Sequence, residues 1–165
     1  MKNFVRGAAA VIAALAAAPA FATDATSSLD VNATVTANCT VSTSAVAFGN
    51  VDVTSGQAAQ GTGSVIVTCT NGTAWSAAAD AGAGTGADLT HRKMASGANQ
   101  LGYSLFTDSS RTQLWGDGVE GATSTFSGTG TGSAQTKTVY GLIAAGQTGV
   151  PAGDYADAVQ VTVSY

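Results

Sequence analysis

The C-terminal stretch Tyr155–Tyr165 reads YADAVQVTVSY, and within it Val159, Val161, Val163 and Tyr165 fall on every second position. Alternate residues of an extended chain project to the same side, so this spacing predicts a β-strand with one apolar face. The same period recurs upstream. Leu29, Val31, Ala33 and Val35 alternate with Asp30, Asn32, Thr34 and Thr36. Thr40–Phe48 runs to Gly49-Asn50, and SVIVTCT over Ser64–Thr70 is bounded by Gly61, Gly63 and Gly72. Ala74–Asp80, LGYSLFT over Leu101–Thr107, and Lys137–Ala145 complete the set. Turn-rich pieces lie between them: 81–87, Asp108-Ser109-Ser110, Gly116-Asp117-Gly118 and 128–132. Residues 77–86 read as a strand end followed by a loop. No internal repeat is visible. Short strands with regular turn punctuation predict an all-β sandwich or small barrel.

Composition agrees. The chain has 165 residues with 21 Gly, 2 Pro and only 10% charged residues. Gly, Ala, Thr and Ser make poor helices and many strands and turns. The formal net charge is −4 and argues against nucleic acid and anionic membrane surfaces as partners. The chain starts differently. Lys2 and Arg6 precede the apolar run GAAAVIAALAAA over Gly7–Ala18, and Ala20-Phe21-Ala22 follows Pro19. A positive start, an apolar core and an A-x-A site predict a secretory signal peptide cleaved after Ala22. The run is well short of the ~20 residues of a membrane-spanning helix, so no stable membrane insertion is expected. The expected organisation is a signal peptide over 1–22, an N-terminal extension over 23–37 and one domain over 38–165. Residues 23–28 are expected to form a disordered tail. Cys39 and Cys69 are the only cysteines. In an exported chain an even count reads as a disulfide. A metal or redox pair would need C-x-x-C spacing or companions for His91, and neither is present.

Catalysis finds no support in the motifs. His91 stands in a basic patch, His91-Arg92-Lys93-Met94, that reads as a solvated loop. G-x-S-x-G, H-E-x-x-H and phosphate-loop patterns are absent. The Gly-x-Gly pairs at 61–63, 82–84 and 128–130 lack a strand-to-helix context and read as turns. Asp117-Gly118 and Gly153-Asp154 lack the spaced carboxylates of a calcium loop. Trp75 and Trp115 could stack a sugar, but on strands such residues more often fill a core. The expectation is a binding or assembly protein with no catalytic residue, no metal and no cofactor.

Longer motifs carry a resemblance. Leu101–Asp108 followed by Arg111-Thr112 and Trp115-Gly116-Asp117-Gly118 is similar to the spore coat protein U family. The likeness continues through Val139–Ile143, Gly146-Gln147, Val150–Asp157 and Val161–Tyr165, and upstream through Cys39–Val41, Phe48-Gly49 and Val67–Cys69. That family includes pilin subunits of archaic chaperone–usher pili. The resemblance implies an immunoglobulin-like β-sandwich lacking its last strand. It implies a periplasmic chaperone, an outer-membrane usher and other pilin subunits as partners, and a surface fibre for attachment and biofilm. The arm over 23–37 would then be a donor strand, with Leu29, Val31, Ala33 and Val35 entering a neighbour's groove. Val159, Val161, Val163 and Tyr165 would form the C-terminal strand that faces the chaperone.

Two alternatives stay open. The arm could be an ordinary first strand paired within its own domain. The chain could also be a monomeric surface adhesion module binding a glycan through Trp75 or Trp115. A small outer-membrane barrel fits poorly, because the strands are short and alanine-rich and carry no aromatic girdle.

Overall fold

A computed structural model describes residues 21–165. The expected signal peptide with Lys2, Arg6 and Ala20 lies outside them but for its last two residues, and Ala22 falls in irregular chain. The chain divides into two units, residues 1–34 and 35–165. In the first, residues 21–34 hold no helix or strand, and Leu29 and Val31 are 87% and 85% exposed. The strand expected over 29–35 is therefore not formed. Period-two patterning makes a segment fit for a ladder, but a strand also needs a partner edge.

The second unit holds eight strands: β1 (Cys39–Ala47), β2 (Ala59–Cys69), β3 (Ala74–Ala79), β4 (Arg92–Ser96), β5 (Asn99–Phe106), β6 (Phe126–Thr129), β7 (Gln135–Ile143) and β8 (Val161–Ser164). They form a five-stranded sheet in the order β1-β2-β7-β5-β4 and a three-stranded sheet in the order β6-β3-β8. Every ladder between these strands is antiparallel. The core forms where the inward stripes meet. Val65 and Val67 of β2, Leu101, Tyr103 and Leu105 of β5, and Val139 and Ile143 of β7 pack with Trp75, Ala77 and Phe126 of the smaller sheet. This is a two-sheet all-β sandwich, one of the two architectures that the alternation allows.

Four local readings need correction. The His91–Met94 patch is not a loop, because Arg92 opens β4 and is fully buried. Its guanidinium is satisfied by main-chain carbonyls, with Nε and Nη2 donating to Asp80 O at 2.9 and 2.7 Å. Gly61 and Gly63 are not turn residues. They lie inside β2, where the end of β1 crosses so closely that side chains would collide. Gly128 likewise lies inside β6, a strand the alternation did not mark. Finally, Tyr155–Tyr165 is a strand only over Val161–Ser164. Ala156 exchanges two main-chain bonds with Ala95 of β4 before the chain crosses to β3 in the other sheet, so the ladder breaks between them.

Turns are fixed by carboxylates. Asp117 Oδ1 accepts from the amides of Val119 and Glu120, each at 2.8 Å, and Asp108 Oδ1 from those of Thr112 and Gln113 at 3.0 and 2.8 Å. Main-chain donors favour the ionised form and hold both carboxyls below the ordinary range. Asp117-Gly118 thus does turn work, as its sequence context suggests.

Candidate functional site

The two sheets are unequal, and that inequality makes the site. β1 pairs only with β2, and β8 only with β3, so each presents one free edge. With three strands facing five, part of the larger sheet's inner face has no strand above it. Two clefts of about 720 and 430 Å³ open there. Their floor is Leu101, Tyr103 and Leu105 of β5 with Val139 and Ile143 of β7. One wall is the end of β1 and the loop after it, through Val46, Phe48 and Val51. The other is the C-terminal segment, through Val150, Tyr155, Val159 and Val161. The result is a trough with an apolar floor and a partly polar rim, flanked by unpaired strand edges. Such an edge is a template for another strand, and the trough offers burial to its alternate side chains.

The residues expected in the C-terminal strand sit at this wall. Val159, Val161 and Val163 are half-buried against the core. Val159 and Val161 line the smaller cleft, whereas Val163 lies beyond it. Tyr165 is exposed, and its hydroxyl donates to Asn38 Oδ1 at 3.4 Å. A polar anchor fixes the wall: Tyr103 Oη donates to Asp157 Oδ2 at 2.6 Å. Burial, and then this bond, push the Tyr103 phenol upward, so it keeps its proton. Asp157 Oδ1 also accepts from the amides of Ala83 and Ala158 at 2.7 and 2.8 Å. Neither Phe48, Met94 nor the Tyr103–Asp157 bond was marked as functional by the sequence. The period-two rule finds strand faces, not the gap between two sheets.

At the root of the arm, Cys39 and Cys69 are joined in a disulfide between directly opposite residues of β1 and β2. Beside it the Thr70 amide donates to Asn38 O at 2.9 Å, and Thr70 Oγ1 accepts from the Asn38 amide at 3.1 Å. The chain is thus clamped where strand structure begins. Upstream, Leu29, Val31 and Val35 are exposed, and Ala33 stands between them on the same alternate positions.

The tryptophans do not form a sugar platform. Trp75 and Trp115 are 3% and 2% exposed, and Trp115 Nε1 donates to Ala77 O at 3.1 Å within the core. Their indole faces are committed to packing, which corrects the glycan-stacking alternative at these positions. Among the described residues, no group of three or more His, Cys, Asp or Glu is placed to hold a metal ion. No helix among them is long and apolar enough to cross a membrane.

Comparison with known proteins places this geometry. No curated protein matches the chain. A solved structure with a similar fold is the CsuC–CsuE chaperone–tip adhesion subunit pre-assembly complex from archaic chaperone–usher Csu pili of Acinetobacter baumannii. The likeness has a TM-score of 0.58 and 23% identity, and it covers 80% of this chain and 40% of that one. The model of the Spore Coat Protein U domain matches residues 25–162. With that match over the extension, the disulfide, the groove and the first half of β8, the chain belongs to the Spore Coat Protein U domain family.

Proposed function

We propose that this chain is a structural subunit of a chaperone–usher pilus, polymerising by strand donation into a surface fibre for attachment and biofilm. One observation carries the reading: a groove with an apolar floor, flanked by two free strand edges, occurs in a chain whose own arm has exposed apolar residues at every second position. An arm whose Leu29, Val31, Ala33 and Val35 enter the groove of the next copy would supply the missing strand. Main-chain bonds to the free edges give affinity, and alternate side chains give register. The contact is heterologous and does not close on itself, so it propagates as a fibre. Before assembly the same groove needs temporary cover, which a periplasmic chaperone provides by facing the C-terminal strand with Val159, Val161, Val163 and Tyr165. An outer-membrane usher then exchanges chaperone for neighbour. Export through a cleaved leader with Ala20 and Ala22 at its site delivers the chain to a compartment where Cys39 and Cys69 are oxidised. No catalysis and no cofactor enter this mechanism.

Deletion of residues 23–37 from the exported chain tests it. The truncated subunit should fold, fail to polymerise by itself and bind a synthetic peptide of residues 29–35. Polymers of the truncated chain equal to those of the full chain would refute strand donation.

A further inference from the structure

The groove is uneven along its length, and so is the arm. Val46, Phe48, Met94 and Tyr155 line both clefts, so they stand at the passage from the larger to the smaller. That passage is built on glycine. Gly61 and Gly141 are opposite each other in the β2–β7 ladder. A Cβ on Gly141 would lie 2.6 Å from Phe48 Cζ, and one on Gly61 would lie 2.6 Å from Ala47 O. Bare backbone at these two positions therefore lets the end of β1 settle onto the sheet and carry Phe48 into the trough. Phe48 is braced there edge-on against Tyr103, with ring centroids 6.3 Å apart. The passage is a packed waist.

The arm presents Leu29, Val31, Ala33 and Val35 on alternate positions, and Ala33 alone carries no atom beyond Cβ. Same-face residues of a strand are about 6.6–7 Å apart. A strand lying along the groove therefore sets one side chain at the waist while its neighbours on that face reach into the clefts.

Resting on the strand-donation reading, we propose that Ala33 of an incoming copy is the residue that crosses the waist, and that Phe48 and Met94 form a size filter selecting it. Pairing antiparallel to β8, as in every ladder between strands of this domain, seats Val35 beside Leu101 and Ile143. Val31 and Leu29 then lie beside Leu105 and Val139. The filter admits arms with a small residue at the third apolar position and rejects arms with a large one there.

A bump-and-hole experiment on the exported chain tests this. Ala33→Leu adds bulk in the exposed arm without touching the domain core, and should reduce polymer formation about tenfold or more, as overpacking does. Combining it with Phe48→Ala or with Met94→Ala should restore polymer to within about twofold of the parent. Two hole variants are used because either can disturb the fold, and near-ultraviolet circular dichroism identifies a folded one. Val31→Ala, which removes bulk from a cleft position, should weaken assembly and gain nothing from either hole. Ala33→Leu polymerising like the parent would overturn the filter. So would failure of both hole variants to rescue while each, with Ala33 intact, folds and assembles. Deletion of 23–37 is run in parallel; undiminished polymers from that chain would bring down strand donation itself, and the filter with it.

Discussion

Arg92 is a cation in an apolar sandwich with no carboxylate accepting from it. Its donors go to the carbonyls of Asp80, of Leu89 at 3.1 Å and of Trp115 at 2.8 Å. These carbonyls belong to the residue just after β3, the loop before β4 and the segment after β5, so one planar fork ties three irregular stretches together. Burial pulls the Arg92 pKa down, and the nearby carboxylates of Asp80 and Asp157 oppose that pull. Arg92→Met keeps the length and apolar stem but leaves buried carbonyls without donors. It should cost about 2–4 kcal/mol of unfolding free energy, measured by urea titration of the isolated domain. Arg92→Lys should recover only part of the loss, because an ammonium cannot reach the same set of acceptors in one plane. A Met variant with the parental urea midpoint would show that the fork is not what holds these stretches.

At the scale of elements, β1 is the exposed wall of the groove, and its hold on the domain is the ladder to β2 with the disulfide at its first rung. Joining residues with a sequence separation of 30 stabilises a domain by roughly 3–4 kcal/mol in the loop-entropy model. Replacing both cysteines with serine should lower stability by about that amount in urea. Because β1 is a wall of the acceptor groove, the same change should weaken binding of a peptide of residues 29–35. Loss of stability with unchanged peptide binding would separate the disulfide from the groove. Other elements differ in how plainly the sequence announced them. β2, β5 and β7 were legible because their inward positions are Val, Leu, Ile and Tyr. β4 was not, because its inward position is Arg92, which the alternation rule assigns to solvent. The groove was half legible: the apolar stripe of 155–165 was visible, but the crossing from β4 to β3 was not, since Ala156 and Asp157 bond through main chain and carboxylate rather than apolar contact. The waist was hidden altogether. It arises from Gly61 and Gly141, and glycine in a sequence reads first as a turn.

For the whole molecule, the proposed strand donation would make each subunit both an acceptor and a donor, and a single arm substitution should separate the two roles. Val31→Asp puts a carboxylate where an apolar side chain must be buried, with no basic residue among those lining either cleft. Burial of an unpaired charge is costly enough to abolish the contact. Val31 is 85% exposed in this chain, so the substituted domain should unfold at the same urea concentration as the parent. Its groove is untouched and should still accept a parental arm. The variant should therefore form no fibres alone, yet cap the ends of growing parental fibres when mixed with them. Mean fibre length, measured by electron microscopy, should fall steadily as the fraction of variant rises. Capping follows from open, head-to-tail addition, because a unit that accepts without donating stops growth. Simple dilution by an inert protein would leave length unchanged at fixed parental concentration. Normal fibres from the variant alone would remove Val31 from the donated face, and mixed fibres of parental length would mean that its groove no longer takes an arm.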